Sequence, residues 1–530
     1  MERIGFKDDS AINFLKGGCA VTKKIAMTLI TVLFVAVTMN SVLAYESIYG
    51  PTELIHYDKA KAYNGYTLFR PNAPNNTARY TFLIDMEGNV VNTWPLTEAL
   101  GNPYMLPNGN LLGSANKDVF VGFKELDWNG KVVWEFYEKR EDYHPHHDFL
   151  RIFNKKLNAF TTIYIANRDF KHDQIIAAGA DPNAAKTYNG SQMDTIVEVD
   201  MNGNVVWEWG FFDHLVQNID PKKANYGAIA TNPGKLNINW GKPVGEDWNH
   251  CNSLDYNEEL DQIAINTVDG EFYVIDHGNT FIPGDPQGSI KLAAGPKGDF
   301  LYRFGDPARY DQGQSPSVTK NWTIISSGTK QIGGSHSIQW IRKGLPGAGN
   351  FLLFNNAGYV FMSTPQSSLM EINPYLDVNK KNTGKYVNPP DAGYYWLQTD
   401  RKRSHKYPRQ VSNQIVWMFE TKNQQSFYSQ MNGGIQRLPN GNTLGCSSSQ
   451  GQLFEVTPKG EVVWEYINPV TEDGILKKIG DCPSQYNNVF RAYRYGPDFP
   501  GLKGKDLTPK GKITDLHAAG KLPVPAPAKK

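Results

Sequence analysis

Val199-Asp200-Met201-Asn202-Gly203-Asn204-Val205-Val206-Trp207 is the stretch that decides how this chain folds. A β-branched residue leads into a polar turn centred on glycine. A second β-branched run then ends in tryptophan, which is the signature of a β-hairpin. The pattern occurs earlier as Ile84-Asp85-Met86-Glu87-Gly88-Asn89-Val90-Val91 and as Leu126-Asp127-Trp128-Asn129-Gly130-Lys131-Val132-Val133-Trp134. It returns as Val456-Thr457-Pro458-Lys459-Gly460-Glu461-Val462-Val463-Trp464, with weaker copies at Gly295–Phe304 and Ser412–Phe419. A second hairpin alternates with it, seen in Leu106-Pro107-Asn108-Gly109-Asn110-Leu111-Leu112 and Leu438-Pro439-Asn440-Gly441-Asn442-Thr443-Leu444. A degenerate form runs from Leu345 to Leu352.

Two hairpins make one four-stranded unit. Ile84 and Leu126 start copies about 42 residues apart, which is the period of a propeller blade. Six copies predict an all-β, six-bladed β-propeller with inserted loops, occupying residues 65–496. Wide gaps, such as that between Trp134 and Val199, hold the insertions. Trp134, Trp207 and Trp464 are expected between blades, where buried aromatics carry most of the packing. Residues 45–64 read as a lead-in, and 497–530 as a Gly/Pro/Lys-rich tail, disordered at its end.

Composition narrows the function classes. Charges nearly balance, with 54 basic against 53 acidic residues, so no global field draws the chain to nucleic acid or to an anionic membrane. Affinity for an anion must come from a local site. Lys23 and Lys24 precede an apolar run from Ile25 to Met39, and Val42-Leu43-Ala44 offers small residues for cleavage. Residues 1–44 therefore read as a secretory signal, with a retained anchor as the alternative and the only route to membrane contact. The expected location is periplasmic or secreted. In such a compartment Cys446–Cys482 is the candidate disulfide and Cys251 the free thiol.

Chemistry points to histidine. His144-Pro145-His146-His147-Asp148-Phe149 crowds titratable groups into a few residues. It reads as channel imidazoles that bind an anion or shuttle protons, as a metal site, or as a solvated loop. Asp247-Trp248-Asn249-His250-Cys251-Asn252-Ser253 presents His250 as a general acid or oxyanion donor, with Asn252 as a neutral partner. Gly333-Gly334-Ser335-His336-Ser337 places two glycines before a lone histidine, allowing close backbone approach, and reads His336 as a nucleophile. In both segments a hydrogen-bonded loop histidine is the bland alternative. Asp276-His277 at a strand exit orients a substrate or closes a turn. There is no Gly-x-Ser-x-Gly elbow, no Walker loop and no calcium loop.

From about Tyr66 to about Pro469 the chain resembles the bacterial arylsulfotransferase family, the type independent of a nucleotide sulfate donor. The carrying segments are Leu83–Trp94, Leu126–Phe136, His146–Phe149, Asp247–Ser253, Asp261–Ile263 with Val274–His277, Asp299–Pro307, Gly344–Asn356 and Ser426–Pro469. The resemblance implies a six-bladed propeller that moves a sulfuryl group from a phenol ester to another phenol through a covalent histidine. It assigns that carrier to His336, with His147 and His250 as supporting imidazoles. Asn252, His277 and His146 are the expected substrate contacts. No cofactor and no metal are implied, and the partners are an aryl sulfate and a phenol. The arginine of the family falls at or near Val268, so the cation is missing there, leaving His277 or Arg168 to supply charge. Two other classes remain open: a non-catalytic propeller binding a ligand or protein through its loops, and a quinone-dependent dehydrogenase.

Overall fold

The computed structural model describes residues 51–72, 80–95, 100–184, 190–241, 247–318, 324–326, 328–356, 366–397, 409–422, 426–478 and 487–523. The expected signal or anchor segment lies outside them. No helix among the described residues is long and apolar enough to cross a membrane.

Six antiparallel sheets form six blades, each listing its strands from the channel outward. Blade 1 holds Val489–Tyr495, Tyr66–Pro71, Tyr80–Ile84 and Val90–Pro95; blade 2 holds Gly101–Met105, Leu111–Lys117, Phe120–Leu126 and Val132–Tyr137. Blade 3 holds Tyr143–Asn154, Ala159–Lys171, Gly190–Asp200 and Val205–Gly210; blade 4 holds Cys251–Asn257, Gln262–Thr267, Glu271–Asp276 and Tyr302–Phe304. Blade 5 holds His336–Trp340, Phe351–Asn355, Ser368–Ile372 and Ile415–Phe419. Blade 6 holds Gly434–Arg437, Thr443–Ser447, Gln452–Val456 and Val462–Ile467. The late strand Val489–Tyr495 is the innermost of blade 1, so the C-terminal part of the chain closes the ring against the N-terminal part.

The repeated turn explains itself chemically. Asp85, Asp127 and Asp200 each accept the backbone N–H four residues on, from Asn89, Lys131 and Asn204. The glycine between sits at φ of +80° to +85°, where a side chain is strained. The outer-strand aromatics then join the blades. Trp94 Nε1 donates to Asp127 O, Trp134 to Met201 O, Trp207 to Thr280 Oγ1, Trp417 to Pro458 O and Trp464 to Met86 O. Blade 4 has tyrosine instead, and Tyr302 Oη donates to Gln414 at 2.9 Å. Each blade therefore reaches the next around the ring. The apolar cores lie between blades: Ile163, Ile196, Trp207, Leu254 and Ile265 pack blade 3 on blade 4. Phe82, Met86, Leu453 and Trp464 pack blade 6 on blade 1.

The flanks differ from the loops expected. Glu53–Tyr57, read as lead-in, adds a fifth strand to the edge of blade 6. Residues 497–523, read as tail, are packed: Leu502, Ile513, Leu516 and Leu522 are buried, and helix Ile513–Ala518 starts where the Thr514 N–H meets Glu53 Oε1 at 3.0 Å. Their apolar residues cover the seam where the ring closes, which composition alone does not reveal. Cys446 is a free, buried thiol near the Val489 carbonyl, and Cys482 lies outside the described residues, so the expected bridge is not among the described features. Cys251 is free and buried, as anticipated.

Candidate active site

The innermost strands all begin at one end of the channel, and that end collects residues from every blade. Blade 2 brings Asn102, blade 3 His146 and His147, and blade 4 His250. Blade 5 brings His336, blade 6 Asn432, and blade 1 Phe490 and Arg491. Regular alternation would send neighbouring side chains to opposite faces. The inner strands break it with register shifts at Gly101/Tyr104, Cys251/Ser253 and His336/Gln339, and opposite Tyr164/Ala166 and Phe69/Pro71. Bulges of this kind re-aim side chains. At them His147 takes φ +53° and Ser337 +57°, left-handed values that non-glycine residues hold only when their surroundings enforce them.

The three histidines singled out in the sequence come together. His147 and His250 meet edge to face with centroids 4.5 Å apart, and their Nε2 atoms are 3.3 Å apart. The Phe490 ring centroid lies 6.1 Å from that of His147 and 6.2 Å from that of His336, so it borders both. His146 joins the group, its Nδ1 2.8 Å from that of His147 and its Nε2 2.8 Å from the buried Asp194. His250 Nδ1 contacts Asp247 Oδ2 at 2.6 Å. The nitrogens of His146, His147 and His250 lie within 4.8 Å of one another, a spacing a divalent ion could also bridge.

His336 has a fixed tautomer. Its Nδ1–H donates to the Gly334 carbonyl and to Asn356 Oδ1, both at 2.9 Å. Asn356 cannot flip, because its amide nitrogen donates to the carbonyls of Ser429 and Asn432. Nε2 of His336 carries the lone pair and accepts the Asn432 N–H at 3.2 Å. Burial, opposed by these hydrogen bonds and helped by the charge of Arg491, holds its pKa down at about 4. The ring is thus neutral and nucleophilic at neutral pH. His147 is pushed further, to about 2, by burial, the neighbouring imidazoles and Arg491. For His250, burial opposes charging, but Asp247, Asp194 and Asp269 outweigh it and raise the pKa.

Arg491 was not among the sequence candidates. It reaches across the channel from blade 1, pairing with Asp148 of blade 3 at 2.8 Å and donating to the Asn252 carbonyl of blade 4 at 3.1 Å. Its charge acts on His147 and His336, and it is buried. The expected arginine strand instead offers Val268, whose backbone links the His250 carbonyl to the Gly334 N–H. A propeller must be closed by a terminal strand, and Val489-Phe490-Arg491-Ala492-Tyr493 is the strand-like run after the last repeat; that was the available signal.

Two expected contacts, Asn252 and His277, and Arg168, the alternative source of charge, are engaged elsewhere in the protein. The Asn252 amide donates to the Ser335 carbonyl at 2.7 Å and its oxygen accepts from Asn266 and Ser253. It therefore anchors the loop that carries His336. His277 follows the third strand of blade 4, where Gln262 pairs with Asp276, at the end opposite His250. It is buried between Asp261 and Glu198, at 2.5 and 2.9 Å, which hold its pKa up at about 9 against burial. Arg168 is half-buried on blade 3 and faces Glu208 at 3.5 Å. Neither supplies charge to the histidine group.

A family model described as Arylsulfotransferase (ASST) matches residues 52–478. No curated protein matches the chain. Among solved structures, a protein of unknown function from Bacteroides caccae is 11% identical with a TM-score of 0.37, covering 81% of this chain and 98% of that one. A protein from Lactobacillus plantarum is 8% identical with a TM-score of 0.34, covering 82% and 99%. The β-propeller domain of Cps50 (Swd1) from Myceliophteria thermophila is 10% identical with a TM-score of 0.31, covering 80% and 88%.

Proposed function

The chain belongs to the arylsulfotransferase family, and from that premise we propose that it transfers a sulfuryl group from a phenolic sulfate ester to a phenol through a sulfo-histidine at His336. The single observation that carries this reading is the neutral His336 ring, with Nδ1–H tied to Asn356 and the Nε2 lone pair met by the Asn432 N–H. In the first half-reaction Nε2 attacks sulfur in line with the ester oxygen. The S–O bond to the aryl group breaks, and the phenolate leaves with a proton from the neighbouring imidazoles. In the second, an acceptor phenol gives its proton back to those imidazoles. Its oxygen takes the sulfuryl group, and His336 returns to its neutral state.

Charge must be offset while the group moves, as in phosphoryl transfer. Arg491 gives the channel a permanent positive charge, and the His147–His250 pair adds a proton donor. The Asn432 N–H donates to Nε2 in the resting site; once Nε2 bonds to sulfur, that N–H turns to a sulfuryl oxygen. Phe490 offers a flat apolar face for the aryl ring. An exported enzyme acting in the periplasm or outside the cell fits these substrates.

The test is direct. After incubation with an aryl sulfate, a peptide containing His336 should carry one sulfuryl group, and His336→Asn should abolish both the adduct and turnover. Turnover unchanged in His336→Asn, with no adduct, would sink the reading.

A further inference from the structure

The contacts among His146, His147 and His250 contain a proton count that their composition does not reveal. Four contacts join the group in series: Asp194 to His146 Nε2, His146 Nδ1 to His147 Nδ1, His147 Nε2 to His250 Nε2, and His250 Nδ1 to Asp247. Every one needs one hydrogen. The carboxylate contacts require N–H on the histidine side. Asp194 is an acceptor on both oxygens, since its other oxygen takes the Cys251 N–H. That leaves His146 Nδ1 and His250 Nε2 as bare lone pairs if both rings are neutral. His147, lying between them, would then have to donate from both nitrogens. A neutral His147 has one hydrogen, so one nitrogen–nitrogen contact would set lone pair against lone pair.

We propose that Asp194, His146, His147, His250 and Asp247 form one hydrogen-bonded chain that holds four protons on three imidazole rings, giving the channel a resident positive charge and a transferable proton beside His336. Only this count gives every contact a hydrogen. The contacts admit the fourth proton on any of the three rings, and the carboxylates of Asp247, Asp194 and Asp269 draw it to His250; His250 then donates to Asp247 and to His147, His147 to His146, and His146 to Asp194. The directions of the pKa shifts agree, up for His250 and down for His147. Facing the chain are Arg491 with its partner Asp148, His336 and Asp269. Asp194, Asp247 and His146 are thereby positioning residues: they hold the protons where His147 and His250 need them. The catalytic consequence rests on the sulfotransfer reading above, and the proton count does not. In that reading the leaving phenolate takes the fourth proton and the acceptor phenol restores it.

Long-range proton–nitrogen spectra of the full chain with ¹⁵N-labelled histidine, at pH 7, read the count without turnover. One ring of the three should be an imidazolium, assigned to His250 by its loss in His250→Asn, with His147 as the Nδ1–H and His146 as the Nε2–H tautomer. In Asp247→Asn, a change in a partly exposed turn, that imidazolium should titrate at least about one pH unit lower. The alkaline limb of kcat/KM should fall by the same amount. Three neutral rings at pH 7 would overturn the proposal. So would one equivalent of a divalent transition ion bound to the purified protein in place of the proton. An imidazolium in a protein that turns over no aryl sulfate would support the proton count and remove the sulfotransfer reading.

Discussion

Asn356 and His336 end adjacent strands of blade 5 at the channel, with the Asn356 amide oxygen 2.9 Å from His336 Nδ1. Because the other end of that amide is held by two carbonyls, Asn356 selects which nitrogen of His336 carries the proton and which the lone pair. Asn356→Ala should lower turnover about 10- to 100-fold, the usual effect of removing a group that orients an active imidazole. It should also cost about 1–3 kcal/mol by leaving the Ser429 and Asn432 carbonyls without their donor. Steady-state kinetics and urea unfolding read the two effects separately.

Arg491 is expected to matter to both stability and rate. Arg491→Met strands the buried Asp148 carboxylate and should cost about 3–5 kcal/mol, the price of an unpaired buried charge. Arg491→Met with Asp148→Asn should recover most of that stability and leave turnover about 10²–10³-fold down. Recovery of both together in the double variant would mean that Arg491 acts through the fold alone.

The histidines set a pH window for stability. His336 and His147 are neutral in the folded protein at pH values where the unfolded chain, near 6.5, already takes up protons. Folding then opposes protonation, so stability falls as pH drops below about 6.5 and goes on falling toward about 4 for His336. His277 acts in the other direction: raised to about 9, it contributes fully below about 6.5 and loses that contribution as pH rises to 9. His250, also raised, adds to the alkaline loss. Melting temperature plotted against pH should therefore fall on the alkaline side, and His277→Gln should flatten that slope between pH 6.5 and 9.

The seam of the ring gives a prediction on packing. Trp464 is fully buried between blades 6 and 1 and donates to the Met86 carbonyl at 2.9 Å. Trp464→Phe keeps an aromatic ring but loses the donor and part of the buried volume, at a cost of about 1–3 kcal/mol. Trp464→Ala should cost about 3–5 kcal/mol through the cavity it opens. Denaturant midpoints at constant slope would measure both.

The propeller was legible because its hairpin turn leaves a chemical trace at the four clearest repeats: an oxygen-bearing side chain, a glycine forced to positive φ, and a tryptophan whose N–H ends on the neighbouring blade. His147, His250 and His336 were legible because each precedes or opens a strand-like run. The groups that make those imidazoles useful were not. Asn356, Asn432, Asp194 and Arg491 follow no repeat, and their roles come from bulges and ring closure, which act across blades. His277 shows the converse error. Its Asp-His spacing resembles a site, yet strand direction sends it to the far end of blade 4, where two carboxylates make it an internal ion pair.

Arg491 sits on the strand that completes the ring, and it is among the last parts of the propeller to be synthesised. Until that strand docks, Asp148 has no counter-charge and the imidazoles have no fixed cation opposite them. A nascent or truncated polypeptide ending before Val489 thus carries all the channel histidines and none of the closed geometry. The arrangement of the channel groups therefore arrives together with circular closure.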